Sequence, residues 1–267
     1  MNIDIIIPTH KPGFYLYECL ASISKQDFDF KFFKVTVILN GSKEPYYSKI
    51  KEWLNSFNFN SELLYSNMAS VSNARNMALN KCVSTYVTFL DDDDVLSFNY
   101  LSSLTSKIQP NSIVVSNTYN FVNSLANGDV NNDYLTFKEN FCSSNLIKYR
   151  KYLSNACCKL IPLSLIGETR FNENLKRSED AVFMFALSNR IDKIISTDPN
   201  AIYYRRLRGN SASRSKYKLS YEIKDALVIM LSFSKVYCLN VAQYNFMLYI
   251  TRILAVMKRV FLTFRSD

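Results

Sequence analysis

Histidine, tryptophan and glycine are the residues that this sequence uses least. There are one histidine, one tryptophan and five glycines in 267 residues. A single histidine and six scattered cysteines give neither the ligand spacing of a zinc site nor the framework of a disulfide-rich fold. The adjacent Cys157 and Cys158 are therefore interpreted as small buried thiols, with a redox pair as the alternative.

The start of the sequence does not predict a secretory signal. The first residues lack the basic stretch and the long apolar core that a signal peptide needs. Together with the scattered cysteines, this absence indicates a reducing compartment, and we expect a cytoplasmic protein. The hydrophobic content of 48% is sufficient for one large buried core or two closely joined ones.

The net charge of +9 comes entirely from the C-terminal quarter of the chain. Residues 1–200 hold 20 basic and 20 acidic side chains, whereas the last 67 residues hold 12 basic and 3 acidic ones. Such an asymmetric distribution indicates a polyanionic partner, either nucleic acid or the anionic cytoplasmic leaflet of a membrane.

Four short segments in the first half of the chain are predicted to be β-strands separated by helices. They are residues 3–8, 35–39, 62–66 and 86–90. Strands that alternate with helices at this spacing predict an α/β fold with a mostly parallel central sheet, flanked by helices. Because ligands bind beyond the carboxyl ends of such strands, we expect the turns after them to line one crevice.

The residues in these four turns are the first candidates for a functional site. They are Thr9, His10 and Pro12, then Asn40, Gly41 and Ser42, then residues 70–76, and finally residues 91–94. Ser72 or Asn73 is the expected N-cap of a helix that follows the third strand.

Residues 91–94, four consecutive aspartates that we call the aspartate run, are the most informative segment. Like charges packed this tightly repel one another and call for a cation. Carboxylate oxygens suit Mg²⁺ or Mn²⁺, and Mg²⁺ usually completes its shell with water and substrate phosphates, so a phosphate ester is the expected substrate. The alternative is an acidic turn in which Asp93 and Asp94 favour the dipole of a helix beginning near Ser97.

Beyond residue 110 the alternation of strands and helices fades into polar, asparagine-rich sequence. We interpret residues 1–110 and 111–215 as two halves of one domain, followed by a basic helical segment at residues 216–267. In the second half, Glu179 and Asp180 precede an apolar run, which is the pattern of an acidic helix N-terminus.

In this order, the motifs resemble those of the inverting family 2 glycosyltransferases of the GT-A fold, over roughly residues 3–215. The matching segments are residues 5–9 (opening strand), 72–76 (Ala-Arg-Asn nucleotide loop), 89–94 (Asp-X-Asp motif), 159–160, 170–171 and 179–180 (before the catalytic-base helix). The resemblance implies a Rossmann-like domain that moves a sugar from a nucleotide-diphosphate sugar, expected to be a UDP-sugar, to a glycan hydroxyl. It also implies Mn²⁺ or Mg²⁺ as cofactor.

The resemblance implies a role for each matching residue. Asp180 would be the catalytic base, Glu179 would support the acceptor or the base, and Asp91 and Asp93 would hold the metal. The residues expected to bind the nucleotide sugar are Pro8, Thr9, Asn40, Ser72, Arg75, Asp91 and Asp92.

Two positions depart from the family pattern. Asn40 stands where the family usually has an aspartate; asparagine keeps an acceptor oxygen for the nucleotide base but removes the charge. The late segment at residues 204–211 lacks the histidine that the family often places near the diphosphate. Arginine binds phosphate well, so Arg205, Arg206 and Arg208 are the candidates there, with a basic surface facing the membrane as the alternative.

Residues 241–264 are apolar around most of a predicted helix, with Asn245, Arg252 and Arg259 forming a narrow polar stripe. Arg252 near its middle makes a membrane span costly. We expect the helix to lie on the membrane surface or against the core, with its basic residues attracted to anionic lipid. A membrane location would suit a glycan acceptor on a polyprenyl diphosphate, the arrangement that the resemblance implies for bacterial O-antigen, lipopolysaccharide or capsule assembly.

Two other functions compete with this interpretation. A sugar-1-phosphate nucleotidyltransferase would also pair an α/β fold with carboxylate-bound Mg²⁺, but it needs a glycine-rich basic loop, and Gly13 is the only glycine in the first turn. A nucleic-acid-binding module would explain the basic C-terminal segment but not the carboxylates of the crevice. We therefore expect no nucleic-acid partner.

Overall fold

The computed structural model describes residues 1–125, 128–208 and 218–265. Its strands are β1 Ile3–Thr9, β2 Phe33–Asn40, β3 Asn60–Ser66, β4 Tyr86–Phe89, β5 Val95–Leu96, β6 Ser112–Val115, β7 Asn117–Phe121, β8 Val130–Asn132, β9 Cys142–Ser143, β10 Lys159–Pro162, β11 Lys193–Ser196 and β12 Ile202–Arg206. Its α-helices are α1 Tyr15–Ser24, α2 Tyr46–Asn55, α3 Val71–Lys81, α4 Tyr100–Ser106, α5 Leu163–Ile166, α6 Glu179–Leu187, α7 Leu219–Leu239 and α8 Phe246–Phe264.

The central sheet has the strand order β3-β2-β1-β4-β10-β6-β11-β9. The four predicted strands form its parallel half, because β1 pairs with β2 and β4, and β2 pairs with β3, all in parallel. All seven residues of β1 are buried, as expected for a strand covered on both faces. The predicted α/β class with a large central sheet is confirmed.

The chain beyond residue 110 extends this sheet and adds a smaller one. Strands β10 and β6 continue the sheet in antiparallel fashion from β4. The smaller sheet has the order β5-β12-β7-β8. Because β12 pairs with β5, with Tyr204 opposite Val95, the arginines at the end of β12 are brought next to the aspartate run. The predicted boundary between residues 215 and 216 lies outside the described residues.

Helices α7 and α8, which we call the C-terminal hairpin, pack on each other and on α6. The ring of Phe185 on α6 lies 5.5 Å from the ring of Phe233 on α7 and 6.3 Å from that of Tyr249 on α8. The predicted last helix begins at Phe246 and not at residue 241, because Asn245 is its N-cap and accepts a hydrogen bond from the Leu248 amide at 2.9 Å.

The expectation that the basic residues of α8 face lipid is wrong for Arg252. Arg252 is 6% exposed and donates hydrogen bonds to Ser154 Oγ (3.0 Å) and to the carbonyl oxygens of Arg150 (3.1 Å) and Leu153 (3.2 Å). Burial lowers its pKa to about 10. Within the described chain, none of the helices combines the length and hydropathy needed to cross a bilayer.

The six cysteines, all within the described part of the chain, are free thiols. Cys157 and Cys158 are buried, as predicted.

Candidate active site

The turns after β1, β2 and β4 meet at the carboxyl end of the parallel half-sheet. The Thr9 hydroxyl donates a short hydrogen bond to the Asp92 carboxylate. The Asn40 amide donates to the Thr9 carbonyl at 2.8 Å, and the His10 ring lies 2.7 Å from the Asn40 carbonyl oxygen. Gly41 has a φ of +96°, and a Cβ there would come within 2.7 Å of the His10 ring, so this turn requires glycine.

Arg75 on α3 connects the aspartate run with Asp180 at the start of α6. It is 3% exposed, and its guanidinium donates to Asp180 Oδ1 at 2.6 Å and to Asp91 Oδ1 at 3.1 Å. The rings of Phe89 and Phe171 lie 5.8 Å and 5.3 Å from it. The neighbouring carboxylates, Asp180 foremost, outweigh the effect of burial and raise the pKa of Arg75 above its ordinary value. The charge on Arg75 is therefore permanent and holds the carboxylates of Asp91 and Asp180 at one point.

Asp180, the predicted base, is oriented from both sides. Its Oδ1 accepts from Arg75, and its Oδ2 accepts from the backbone amide of Ala156 at 3.2 Å. The turn around Ala156 is held in turn by Lys159, whose Nζ donates to the carbonyl oxygens of Asn155 (2.7 Å) and Cys157 (2.6 Å). Lys159 is buried, and burial lowers its pKa to about 8.

The four carboxylates of the aspartate run have four different partners. Asp91 contacts Arg75, and the Asp91 side chain is 47% exposed. Asp92 accepts a hydrogen bond from Thr9, and burial raises the pKa of Asp92 to about 7. Asp93 pairs with Arg208 at 2.5 Å. Asp94, 2% exposed, accepts the backbone amide of Arg206 at 2.7 Å, and burial raises its pKa well above the ordinary value.

Asp91 and Asp93 fit the role of ligands for a hard divalent cation. Each carboxylate contacts an arginine, and because a carboxylate has about four lone-pair sites on its two oxygens, it can also accept bonds to a cation. Among the described residues, no three histidine, cysteine or carboxylate side chains form a ligand set for a metal. A pair of carboxylates is nevertheless what Mg²⁺ uses when substrate phosphates and water complete its shell.

The structure separates the three predicted diphosphate arginines. Arg206 donates to the Asp93 carbonyl at 2.8 Å and to Glu18 at 2.7 Å, and Arg208 contacts the Asp93 carboxylate. Arg205 instead pairs with Asp133 at 2.7 Å. Arg206 and Arg208 therefore border the aspartate run, while residues 209–211 of the same motif lie outside the described residues.

The predicted cap of α3 is wrong by two or three residues. Ser70 is the N-cap, and its hydroxyl accepts from the amide of Asn73 at 3.2 Å. Ser72 is completely buried, and its hydroxyl has no hydrogen-bond partner within the described chain. Pro8 is buried within β1.

Several residues that shape the site were missed by the sequence analysis. The buried Tyr203 accepts the Asp91 amide at 3.1 Å, and Glu173 accepts from Asn73 and Asn76 at 3.2 Å and 2.9 Å. These partners are about 100 residues apart in the chain, so no local pattern marks them. The motif at residues 170–171 was the nearest signal, since the Phe171 amide donates to Asn76 Oδ1 at 2.8 Å.

Glu179 gives a first testable prediction about pH. Burial and the neighbouring Asp180 raise its pKa to about 7, against an unfolded value near 4.5. The folded state therefore binds more protons between these two pH values, and the contribution of Glu179 to stability falls as pH rises through that window. We expect Glu179→Gln to raise the free energy of unfolding at pH 8 by on the order of 1–3 kcal/mol and to change it little at pH 4. Denaturant titrations at both pH values measure this, and exposed Glu139→Gln is the matched control.

With this geometry established, sequence comparison identifies the family. Residues 4–160 match the profile of Glycosyl transferase family 2. The chain belongs to this family. The match includes all of β1 except Ile3, together with Arg75 and the aspartate run, and it ends before Asp180 and the C-terminal hairpin. The alternatives of a nucleotidyltransferase and a nucleic-acid-binding module are not supported.

Bacterial relatives extend the similarity beyond the matched segment. Glycosyltransferase GlyG of Streptococcus pneumoniae is 26% identical over 234 residues, which are 82% of this chain and 75% of GlyG. The poly(ribitol-phosphate) β-N-acetylglucosaminyltransferase TarS of Staphylococcus aureus is 26% identical over 222 residues, 81% of this chain. The chain spans only 38% of TarS.

Solved structures agree on the fold. The S. aureus TarS fragment in complex with UDP-GlcNAc superposes with a TM-score of 0.74 at 22% identity, covering 89% of this chain and 67% of that fragment. A mannosyltransferase from Pyrobaculum calidifontis in complex with GDP-Man and Mn²⁺ gives a TM-score of 0.63 at 13% identity, covering 97% of this chain and 69% of the other. Both likenesses support the GT-A-like architecture.

Proposed function

We propose that this glycosyltransferase moves a sugar from a UDP-sugar to an acceptor hydroxyl by a single inverting displacement, with Mn²⁺ or Mg²⁺ as cofactor. The observation that carries the proposal is the double contact of Arg75 with Asp91 and Asp180. The guanidinium of Arg75 holds Asp91, a carboxylate of the Asp-X-Asp motif on the donor side, next to Asp180, which is suited to act as base. The TarS structures with UDP-GlcNAc and UDP support the choice of donor class.

Asp180 takes the proton from the acceptor hydroxyl as the hydroxyl attacks the anomeric carbon. A general base must be oriented toward the proton that it removes, and the two hydrogen bonds from Arg75 and Ala156 provide this orientation. The bond from the anomeric carbon to the diphosphate oxygen breaks on the opposite face, so the configuration at that carbon inverts.

The leaving diphosphate needs positive charge. Arg206 and Arg208, beside the aspartate run, supply guanidinium groups that can bind two phosphate oxygens each. A divalent cation held by Asp91 and Asp93 would neutralise charge on the same diphosphate. The aspartate run and the arginines together form a site for a bound cation and an anionic leaving group.

The acceptor is the second half of the proposal. The names of TarS and of the Bacillus subtilis minor teichoic acid biosynthesis protein GgaB point to bacterial cell-surface polymers. We propose an acceptor of this kind, either a polyol-phosphate polymer or an oligosaccharide on a polyprenyl diphosphate.

A transfer assay tests the function directly. The protein is incubated with UDP-sugars, Mn²⁺ and each acceptor class in turn, and the product is characterised by mass and by the NMR coupling of its anomeric proton. The proposal expects one donor and acceptor pair to yield a product of inverted configuration. A product with retained configuration would contradict it.

We also propose that the C-terminal hairpin rests on the cytoplasmic membrane surface. Its two carboxylates, Glu222 and Asp225, are turned inward, with side chains 3% and 11% exposed. Its outer surface carries large apolar side chains that are 51–67% exposed and the exposed cations Lys224, Lys235 and Lys258. Those apolar residues are Leu227, Leu231, Leu254, Met257, Phe261, Leu262 and Phe264. Apolar area combined with positive charge is the composition that binds anionic interfaces.

Vesicle flotation tests whether the C-terminal hairpin binds a membrane surface. We expect the protein to float with vesicles containing 30% anionic lipid and to bind them at least about tenfold more strongly than neutral vesicles. Three surface lysines at about 1 kcal/mol each exceed the roughly 1.4 kcal/mol of a tenfold change in the binding constant. Leu231→Asp should abolish flotation, whereas Val83→Asp, at an exposed position far along the chain, should not. Equal flotation of wild type and Leu231→Asp would contradict the assignment of this surface.

A further inference from the structure

Four charged residues join the C-terminal hairpin to the segment that precedes α6. Arg177 donates to Glu222 at 2.7 Å and to Asp225 at 2.6 Å. Arg259 contacts the same two carboxylates at 2.5 Å and 2.9 Å. We call these residues the charge cluster. Its two cations are Arg177, just before α6, and Arg259 on α8, and its two anions are Glu222 and Asp225 on α7.

The charge cluster is a mutually dependent set in which the two carboxylates are buried and the side chains of Arg177 and Arg259 are 20% and 30% exposed. The Glu222 side chain is 3% exposed and that of Asp225 is 11% exposed. Breaking a buried pair leaves an uncompensated charge and is strongly destabilising, so each member needs the others in place. Glu222 and Asp225 are also the only acidic residues in the sequence of α7 and α8, so the hairpin uses all its negative charge here.

Ser178 connects the charge cluster to the proposed base. It lies between Arg177 and Glu179 with φ 60° and ψ 13°, a left-handed conformation that a residue with a Cβ adopts only when its surroundings enforce it. The Ser178 hydroxyl accepts from Arg259 at 3.4 Å, and its carbonyl accepts the amide of Val182 at 3.0 Å. Ser178 is the N-cap of α6, but its side chain makes no capping hydrogen bond to the helix.

The first turn of α6 is therefore fixed from outside the helix. Its N-terminal residues are Glu179 and Asp180. The residue before them, Ser178, follows Arg177, whose side chain pairs with Asp225, and the Ser178 hydroxyl accepts a hydrogen bond from Arg259. A shift of Ser178 would move Asp180 relative to Arg75 and Ala156. A displacement of about 1 Å at a reacting group can lower a rate by about 100-fold.

We propose that the C-terminal hairpin is a positioning element for the catalytic base, and that Arg259 acts through the charge cluster and Ser178 to place Asp180. The inference rests on the proposed function, since it assigns Asp180 the role of base. The donor site lies elsewhere, at β1, α3 and the aspartate run, so the charge cluster should control the chemical step and leave donor binding unchanged.

Arg259→Gln tests this inference, with Lys176→Gln, at an exposed lysine one residue before Arg177, as control. In the transfer assay we expect Arg259→Gln to lower kcat by about 10- to 100-fold, with the donor KM and the titrated Kd for UDP unchanged within about twofold. Lys176→Gln should match wild type, and Arg259→Lys should recover part of kcat because it restores the charge without the two-pronged guanidinium.

The kcat and the UDP binding of the Arg259 variants together decide whether the hairpin positions Asp180. A folded Arg259→Gln with wild-type kcat would overturn the inference, and so would a parallel loss of kcat and UDP binding, which is the result of general unfolding. If Arg259→Gln does not fold, Arg259→Lys carries the test, with a several-fold lower kcat and unchanged UDP binding expected and a wild-type kcat contradicting it. Absence of transfer by the wild type together with intact UDP binding would count against the proposed function and not against the charge cluster.

Discussion

Asp180→Asn should lower kcat by about 1,000-fold, the middle to upper range for loss of a general base, while the Kd for the donor changes by less than about threefold. Asparagine has nearly the shape of aspartate but cannot accept the proton of the acceptor hydroxyl. Its single amide oxygen can also accept from only one of Arg75 and Ala156, which bind the two carboxylate oxygens of Asp180.

Single-turnover kinetics and titration with donor separate the two effects. Asp192→Asn, at an exposed aspartate just beyond α6, is the control and should behave as wild type. Equal transfer by wild type and Asp180→Asn would exclude Asp180 as the base. An equal loss of donor binding and transfer would show that Asp180 acts on the donor.

Asp93→Ala should weaken metal-dependent donor binding and transfer together. The proposal assigns Asp93 one of two protein ligands for the cation, and it is also the partner of Arg208 at 2.5 Å. Removing one carboxylate from a two-carboxylate site should lower kcat/KM by about 100-fold or more, which corresponds to about 2.7 kcal/mol of transition-state stabilisation. The donor Kd in Mn²⁺ should approach the value that wild type shows with chelator.

Calorimetric titration of wild type and of Asp93→Ala with donor, in Mn²⁺ and then with EDTA, measures these donor Kd values. The control is Asp27→Ala, at an exposed aspartate outside the aspartate run. A donor Kd for Asp93→Ala that still responds to Mn²⁺ as in wild type would remove Asp93 from the metal site.

Local patterns predicted the parallel half of the fold because each segment carries its own signal. The apolar residues of β1 and β2 and the turn glycine Gly41 are readable without knowing their neighbours. The crevice was predictable for the same reason, since parallel strands end at one edge of the sheet.

The finer structure of the site depends on contacts between distant parts of the chain. Nothing local distinguishes Tyr203, which accepts the Asp91 amide, from the tyrosine that follows it. Arg205 and Arg206 are equally suited to phosphate in sequence, but alternation along β12 sends one to Asp133 and the other to the aspartate run. Arg252 and Arg259 read as a polar stripe on α8, yet the first is buried among carbonyl groups and the second completes the charge cluster.

Isothermal titration of the protein with UDP-GlcNAc and other UDP-, GDP- and dTDP-sugars, first in Mn²⁺ and then with chelator, tests the proposed donor site. We expect saturable one-to-one binding of a UDP-sugar that is lost or strongly weakened when the metal is removed. Failure of every nucleotide sugar to bind in the presence of Mn²⁺ would contradict it.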